Sequence, residues 1–148
     1  MTEEDRPWLR ALIEQQWGIP VVTPTGAYHA PETHPGVVAE IDGERAGAAT
    51  YLRDGGDWEI VTVIATAEGA GVGRALLEEV RLLAERSSAT RLWLITTDDT
   101  GAAAFYEHLD MTRTRTHEDF VEIVRRVKPS TAGYRDAYEF EWRLRTDG

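Results

Sequence analysis

Three glycines fall within five residues in the segment Ala67-Glu68-Gly69-Ala70-Gly71-Val72-Gly73-Arg74, and this stretch limits the fold more than any other. It stands between the apolar run from Trp58 to Ala65 and a helical pattern in which Leu76, Leu77, Val80, Leu83 and Ala84 share one face. A strand that passes into a helix through glycine points unpaired first-turn N–H groups and the positive end of the helix dipole at whatever lies in front. Such a junction attracts anions without any side chain. Two phosphate-binding loops are excluded by counting. The dinucleotide fingerprint needs a third glycine where this chain has Arg74, counting from Gly69, or Leu76, counting from Gly71. A P-loop needs Gly-Lys-Ser/Thr, and the sole lysine is Lys128. A nucleotide-binding enzyme built on this loop is the least favoured reading.

The surrounding pattern supplies the rest of a domain. Thr2 and Asp5 imitate a capping box, and Trp8, Leu9, Leu12, Ile13 and Trp17 recur at helical spacing before Gly18 and Pro20. The punctuated stretch from Pro20 to Gly36 predicts a short strand around Val21 to Thr23 or Ala27 to His29. Strands follow at Gly36–Ile41, Arg45–Arg53 and Trp58–Ala65, joined by Asp42-Gly43 and Asp54-Gly55-Gly56-Asp57 into an antiparallel meander. Downstream of the glycine loop come a helix at Val72–Arg86, a strand at Arg91–Thr97, a helix from about Gly101 to His108 and a strand from Met111 to Thr116. Phe120, Val121, Val124 and Val127 then suggest a short helix ended by Pro129. In the last strand Tyr138, Phe140, Trp142 and Leu144 alternate with Glu139, Glu141, Arg143 and Arg145. Its apolar face either packs in the chain's own core or pairs across a homodimer. This order predicts an α+β fold or a three-layer mixed sheet.

A chain of 148 residues without an internal repeat or linker reads as one domain. The absence of cysteine excludes a disulfide scaffold, a thiol nucleophile and a thiolate metal site. No apolar run reaches the roughly eighteen residues of a membrane span, and the acidic opening MTEEDRPW does not suit a secretory signal, so a cytoplasmic protein is expected. Twenty-six acidic against sixteen basic side chains give a net charge of -10, with residues 1–70 holding twelve acids and four bases. Such a surface repels nucleic acid and favours a cationic substrate, although charge serving only solubility is the plainer reading.

The glycine loop resembles that of the GNAT superfamily of N-acetyltransferases, whose pattern Arg/Gln-x-x-Gly-x-Gly/Ala stands here as Glu68-x-x-Gly71-x-Gly73. A second motif supports the resemblance. The superfamily's Asn-x-x-Ala-x-x-hydrophobic-Tyr, followed by roughly E-K-x-G-F, appears as Asp99-x-x-Ala102-x-x-Phe105-Tyr106-Glu107-His108-Leu109-Asp110-Met111. Glu68, Asp99 and the pair Asp110-Met111 are the departures from the pattern. The stretches RRVKPS and AYEFEWRL resemble a subgroup of the same superfamily.

The resemblance implies a single domain over residues 1–148, a three-layer αβα fold with a mixed, mostly antiparallel central sheet, and acetyl-CoA as co-substrate. It implies that the backbone of Val63, Ile64 and Ala65 binds the pantetheine arm, and that Glu68, Gly69, Ala70, Gly71, Val72, Gly73 and Arg74 hold the pyrophosphate, with Asp99, Phe105 and Tyr106 completing the donor site. Tyr106 would protonate the departing thiolate. Glu59, on the strand before the loop, is the candidate base, and ordered water is its equal competitor. Glu59 and Val61 share a face, whereas Thr62 points the other way unless a bulge intervenes. The implied acceptor is a primary amine of a small molecule or peptide, its identity set by the Pro20–Gly36 and Phe120–Lys128 segments. A catalytically weak acyl-CoA-binding or protein-interaction module on the same fold is the alternative. No metal is expected, because His29, His34, His108 and His117 lack ligand spacing. His117 with Glu118 is a minor acceptor-site candidate, and Tyr51, Trp58 and Trp93 line either a pocket or the core.

Overall fold

The computed structural model describes residues 1–17, 21–22, 28–29, 34–66, 71–97, 102–117 and 137–144. Helix α1 spans Asp5–Trp17. Its start is held by the Asp5 carboxylate, which accepts from the Thr2 N–H at 2.7 Å and the Thr2 hydroxyl at 3.0 Å. The punctuated stretch forms a short strand at both candidate places rather than at one of them: β1 (Val21–Val22) pairs antiparallel with β2 (Tyr28–His29) in a small sheet of their own.

The main sheet contains β3 (Gly36–Ile41), β4 (Glu44–Asp54), β5 (Asp57–Ala65), β6 (Arg91–Thr97), β7 (Thr112–His117) and β8 (Ala137–Arg143). Their order is β3-β4-β5-β6-β8-β7, with β5 and β6 parallel and every other adjacent pair antiparallel. The meander's two hairpins close where the turn residues sit, Ile41 opposing Glu44 and Asp54 opposing Asp57. Helix α2 spans Val72–Arg86 and α3 spans Ala102–His108. The fold is therefore α+β with a mixed sheet. The short helix expected around Phe120 to Val127 lies outside the described residues.

Each face of the sheet has its own core. Leu9, Leu12 and Ile13 of α1 bury themselves against Ala48 and Ile64 on one side. On the other, Val72, Leu76, Leu77, Val80 and Ala84 of α2 pack on Tyr51, Trp58, Ile60, Leu92, Leu94, Phe140 and Trp142. Tyr51 and Trp58 are core residues, stacked with ring centroids 4.9 Å apart. β8 is an interior strand, and the apolar face formed by Tyr138, Phe140 and Trp142 is spent within the chain's own core. Among the described residues no helix is long and apolar enough to cross a membrane.

Candidate active site

The parallel strands β5 and β6 stay paired only from Asp57 opposite Arg91 to Glu59 opposite Trp93. Beyond that point they part, while β5 remains paired to β4 as far as Ala65 opposite Gly47. The Thr66 N–H donates to the Ala46 carbonyl on β4 at 2.8 Å. Because main-chain groups alternate along a strand, Ile64 also turns its N–H and C=O to β4, and those of Val63 and Ala65 face the opening toward β6. The Ala65 carbonyl accepts a hydrogen bond from Nε2 of Gln16 on α1 at 3.0 Å.

A bulge divides β5. Thr50 opposes Thr62 but Tyr51 opposes Ile60, so Val61 is the extra residue. Trp58 and Ile60 before it pack on the α2 side, and after it Val63 and Ala65 take that side while Ile64 packs on α1. The bulge thereby brings Glu59 and Thr62 to one face, the α1 side. Plain alternation would have paired Glu59 with Val61. The hydroxyls of Thr62 and its cross-strand neighbour Thr50 are buried on this face without a hydrogen-bond partner among the described residues.

Glu59 is half-buried. Burial raises its pKa, and the nearby carboxylate of Glu139 adds to the rise. Glu139 belongs to an ionic cluster on the same face. Arg91 bonds both Glu139 and Glu141, Arg143 Nε donates to Glu141 at 3.1 Å, and the Thr114 hydroxyl donates to Glu139 at 2.9 Å. Thr114 reaches Glu139 from a second bulge, between Arg113 and Arg115 of β7. Trp93, half-buried on this face, lies under the Arg91 guanidinium at 5.2 Å.

At the far end of the opening, α2 begins at Gly71. Its φ of 75° lies in the left-handed region, it has no side chain to cap the helix, and its carbonyl accepts the Ala75 N–H at 3.1 Å. The first turn carries no acidic residue, and Arg74 pairs with Glu78 at 3.2 Å on the helix surface. The two sequence motifs meet here. A Cβ on Gly73 would stand 3.3 Å from Cζ of Phe105, so α3 lies against the start of α2. Phe105 is partly exposed, and Tyr106 beside it packs its ring 5.8 Å from that of Phe140. Burial pushes the Tyr106 hydroxyl's pKa up to about 12.

Glu68, Gly69, Ala70 and Asp99 lie outside the described residues, as do most of the Pro20–Gly36 segment and all of Phe120–Lys128. No cluster of three or more potential metal ligands occurs among the described residues. Sequence reasoning missed that Glu139 faces Glu59 and that Gln16 reaches the Ala65 carbonyl. Glu139 carried a signal in the alternation of β8, but the face it shares with Glu59 depends on strand order.

Residues 32–110 match the acetyltransferase (GNAT) domain family. The uncharacterized protein YdhI of Bacillus subtilis strain 168 is 33% identical over 123 residues, 82% of this chain and 77% of that protein. In fold, the chain is similar to the ribosomal-protein-S18-alanine N-acetyltransferase of Escherichia coli, with a TM-score of 0.77 at 20% identity, covering 100% of this chain and 93% of that one. It is also similar to a Bacillus subtilis acetyltransferase solved in complex with CoA, with a TM-score of 0.63 at 18% identity, covering 73% of this chain and 75% of that one.

Proposed function

Because the chain belongs to the GNAT acetyltransferase family, we propose that its 148 residues form one domain that moves an acetyl group from acetyl-CoA to a primary amine of a small molecule or peptide. The observation that carries this reading is the parting of β5 and β6. It leaves main-chain groups of Val63 and Ala65 facing a cleft that begins at Glu59 and ends at the glycine-started helix α2.

In this reading the pantetheine arm lies along β5 like an added strand and bonds Val63 and Ala65, while Ile64 between them serves β4. The pyrophosphate sits before α2, where the N–H groups of Val72, Gly73 and Arg74 meet it, and Glu68, Gly69 and Ala70 complete the loop. Asp99 and Phe105 border the same donor. The acceptor nitrogen attacks the thioester carbon, and its proton passes to Glu59 directly or through ordered water. The tetrahedral intermediate collapses with cleavage of the C–S bond, and the Tyr106 hydroxyl gives its proton to the departing sulfur. A phenol with a pKa of about 12 stays protonated at physiological pH and is a standing donor. A half-buried carboxylate with a raised pKa is a stronger base than a solvated one. The excess of acidic side chains supports a cationic acceptor.

Calorimetric titration with acetyl-CoA, using ADP as the control without a pantetheine arm, tests the donor. Release of CoA across a panel of amines tests the reaction. Acetyl-CoA is expected to bind and ADP to bind much more weakly. Release is expected to require an amine and to fall roughly 100-fold in Tyr106→Phe, the loss typical of a removed general acid. Binding without amine-dependent release would instead favour an acyl-CoA-binding module.

A further inference from the structure

Helix α3 has seven residues, too short to hold its place by helical propensity alone. Its end is closed by two main-chain bonds, from the Met111 N–H to the Tyr106 carbonyl at 3.2 Å and from the Asp110 N–H to the Glu107 carbonyl at 3.1 Å, with Asp110 at a φ of 61°. This is the Schellman arrangement. It leaves the Leu109 carbonyl among those without a helical partner. The indole of Trp142 supplies one: Nε1–H donates to the Leu109 oxygen at 3.0 Å. Trp142 is itself buried in the core, and the Arg81 guanidinium of α2 covers its ring at 4.7 Å. Arg81 is in turn held by Glu85 at 3.2 Å.

Phe140 stands two residues earlier on the same face of β8 and meets the Tyr106 ring. One strand face therefore fixes α3 at two points, a ring against the tyrosine and an indole on the carbonyl three residues beyond it. A single contact would leave a short helix free to pivot. We propose that Trp142 is a positioning residue, whose hydrogen bond to the Leu109 carbonyl sets where the Tyr106 hydroxyl stands in the cleft. This rests on Tyr106 acting as the acid that protonates the leaving thiolate.

Trp142→Phe keeps an aromatic ring in the core and removes the donor. The expected result is a kcat lowered about 10-fold, a modest share of the loss that a misplacement of about 1 Å produces, with KM for acetyl-CoA nearly unchanged. In a Tyr106→Phe background the same substitution is expected to lower kcat no further, because the group it positions is gone. Unchanged kcat in Trp142→Phe, while Tyr106→Phe is impaired, overturns this proposal alone. A loss of equal size in both backgrounds also overturns it, since it marks a general structural effect. Unimpaired Tyr106→Phe overturns the acid role and this proposal together. The unsubstituted protein gives a readout that does not depend on a variant's folding: the Trp142 indole proton is expected to exchange with deuterium far more slowly than a free indole. Exchange at the free rate overturns the hydrogen bond and the proposal with it.

Discussion

Gly47→Ala tests whether the start of α2 is seated by close backbone approach. Gly47 lies in β4 opposite Ala65, beneath the first turn of the helix. An added Cβ would stand 2.7 Å from the Ile64 carbonyl oxygen, 2.7 Å from Cγ1 of Val72 and 3.2 Å from Cδ1 of Leu76. Ordinary carbon contacts lie at about 3.5–4.0 Å, so the methyl is roughly 1 Å too close to Val72. Neither main neighbour yields easily. The Ile64 carbonyl belongs to the ladder with Ala48, and a helical valine has essentially one rotamer, here buried. The helix has to retreat, and overpacking of this kind costs about 2 kcal/mol. In a chain of this size that lowers Tm by about 4–8 °C, measurable by calorimetry or circular dichroism. Because the helix start moves with it, KM for acetyl-CoA rises as well. Adding Val72→Ala removes the opposing methyl groups, so the two substitutions together cost less than their sum, by about 0.5 kcal/mol or more. A Tm within about 1 °C of the parent, less than 1 kcal/mol produces, would refute the packing argument.

Glu59 yields a pH prediction with two signs. As the base it must be ionised, so kcat/KM rises with pH through its raised pKa, and Glu139→Gln, which removes the neighbouring negative charge, moves that limb to lower pH. For stability, the folded chain holds the Glu59 proton to higher pH than the unfolded chain, whose carboxyl titrates near 4.5. Stability therefore falls as pH rises from that value through the folded pKa. Urea denaturation is expected to find Glu59→Gln more stable than the parent at pH 7 and no different below pH 4.5; equal stability at both would contradict the burial argument. Asp110 occupies the left-handed region at the end of α3 with a φ of 61°, where the superfamily pattern has glycine. Asp110→Gly is expected to raise stability by about 0.5 kcal/mol, with no change in Tm as the contrary result.

The elements were legible where punctuation is strong. Gly71 and the Ser-Ser pair after Arg86 bound α2, and β6 runs from Arg91 to Thr97 as its apolar pattern implies. The hairpins were legible from Asp42-Gly43 and Gly55-Gly56 for the same reason. The bulge was not. From Ile60 to Ala65 every residue is apolar or a threonine, so both phases of alternation read alike, and only the pairing of β4 with β5 reveals that Val61 is extra. Glu59 is legible from its strand, but the carboxylate that tunes it comes from β8, eighty residues away in sequence, with β6 between them in the sheet. The link from Trp142 to Leu109 spans 33 residues and joins an indole to a main-chain carbonyl, a pairing that leaves no mark in the pattern of side chains.

The stretch of β5 from Glu59 to Ala65 also works as a ruler. At about 3.3 Å per residue it holds the carboxylate roughly 20 Å from the last main-chain group before the glycine loop. One mark is set where β5 and β6 separate, and the other where β4 stops pairing, at Gly47. Inserting one residue between them would lengthen the measure by a single step and, because strand faces alternate, turn Glu59 to the opposite side of the sheet. Deleting Val61, the extra residue of the bulge, would shorten the measure by one step and restore uninterrupted alternation, leaving Glu59 and Thr62 two residues apart on one side. Away from the bulge, length and facing are thus coupled, and there substitutions are tolerated far more readily than a change in the number of residues.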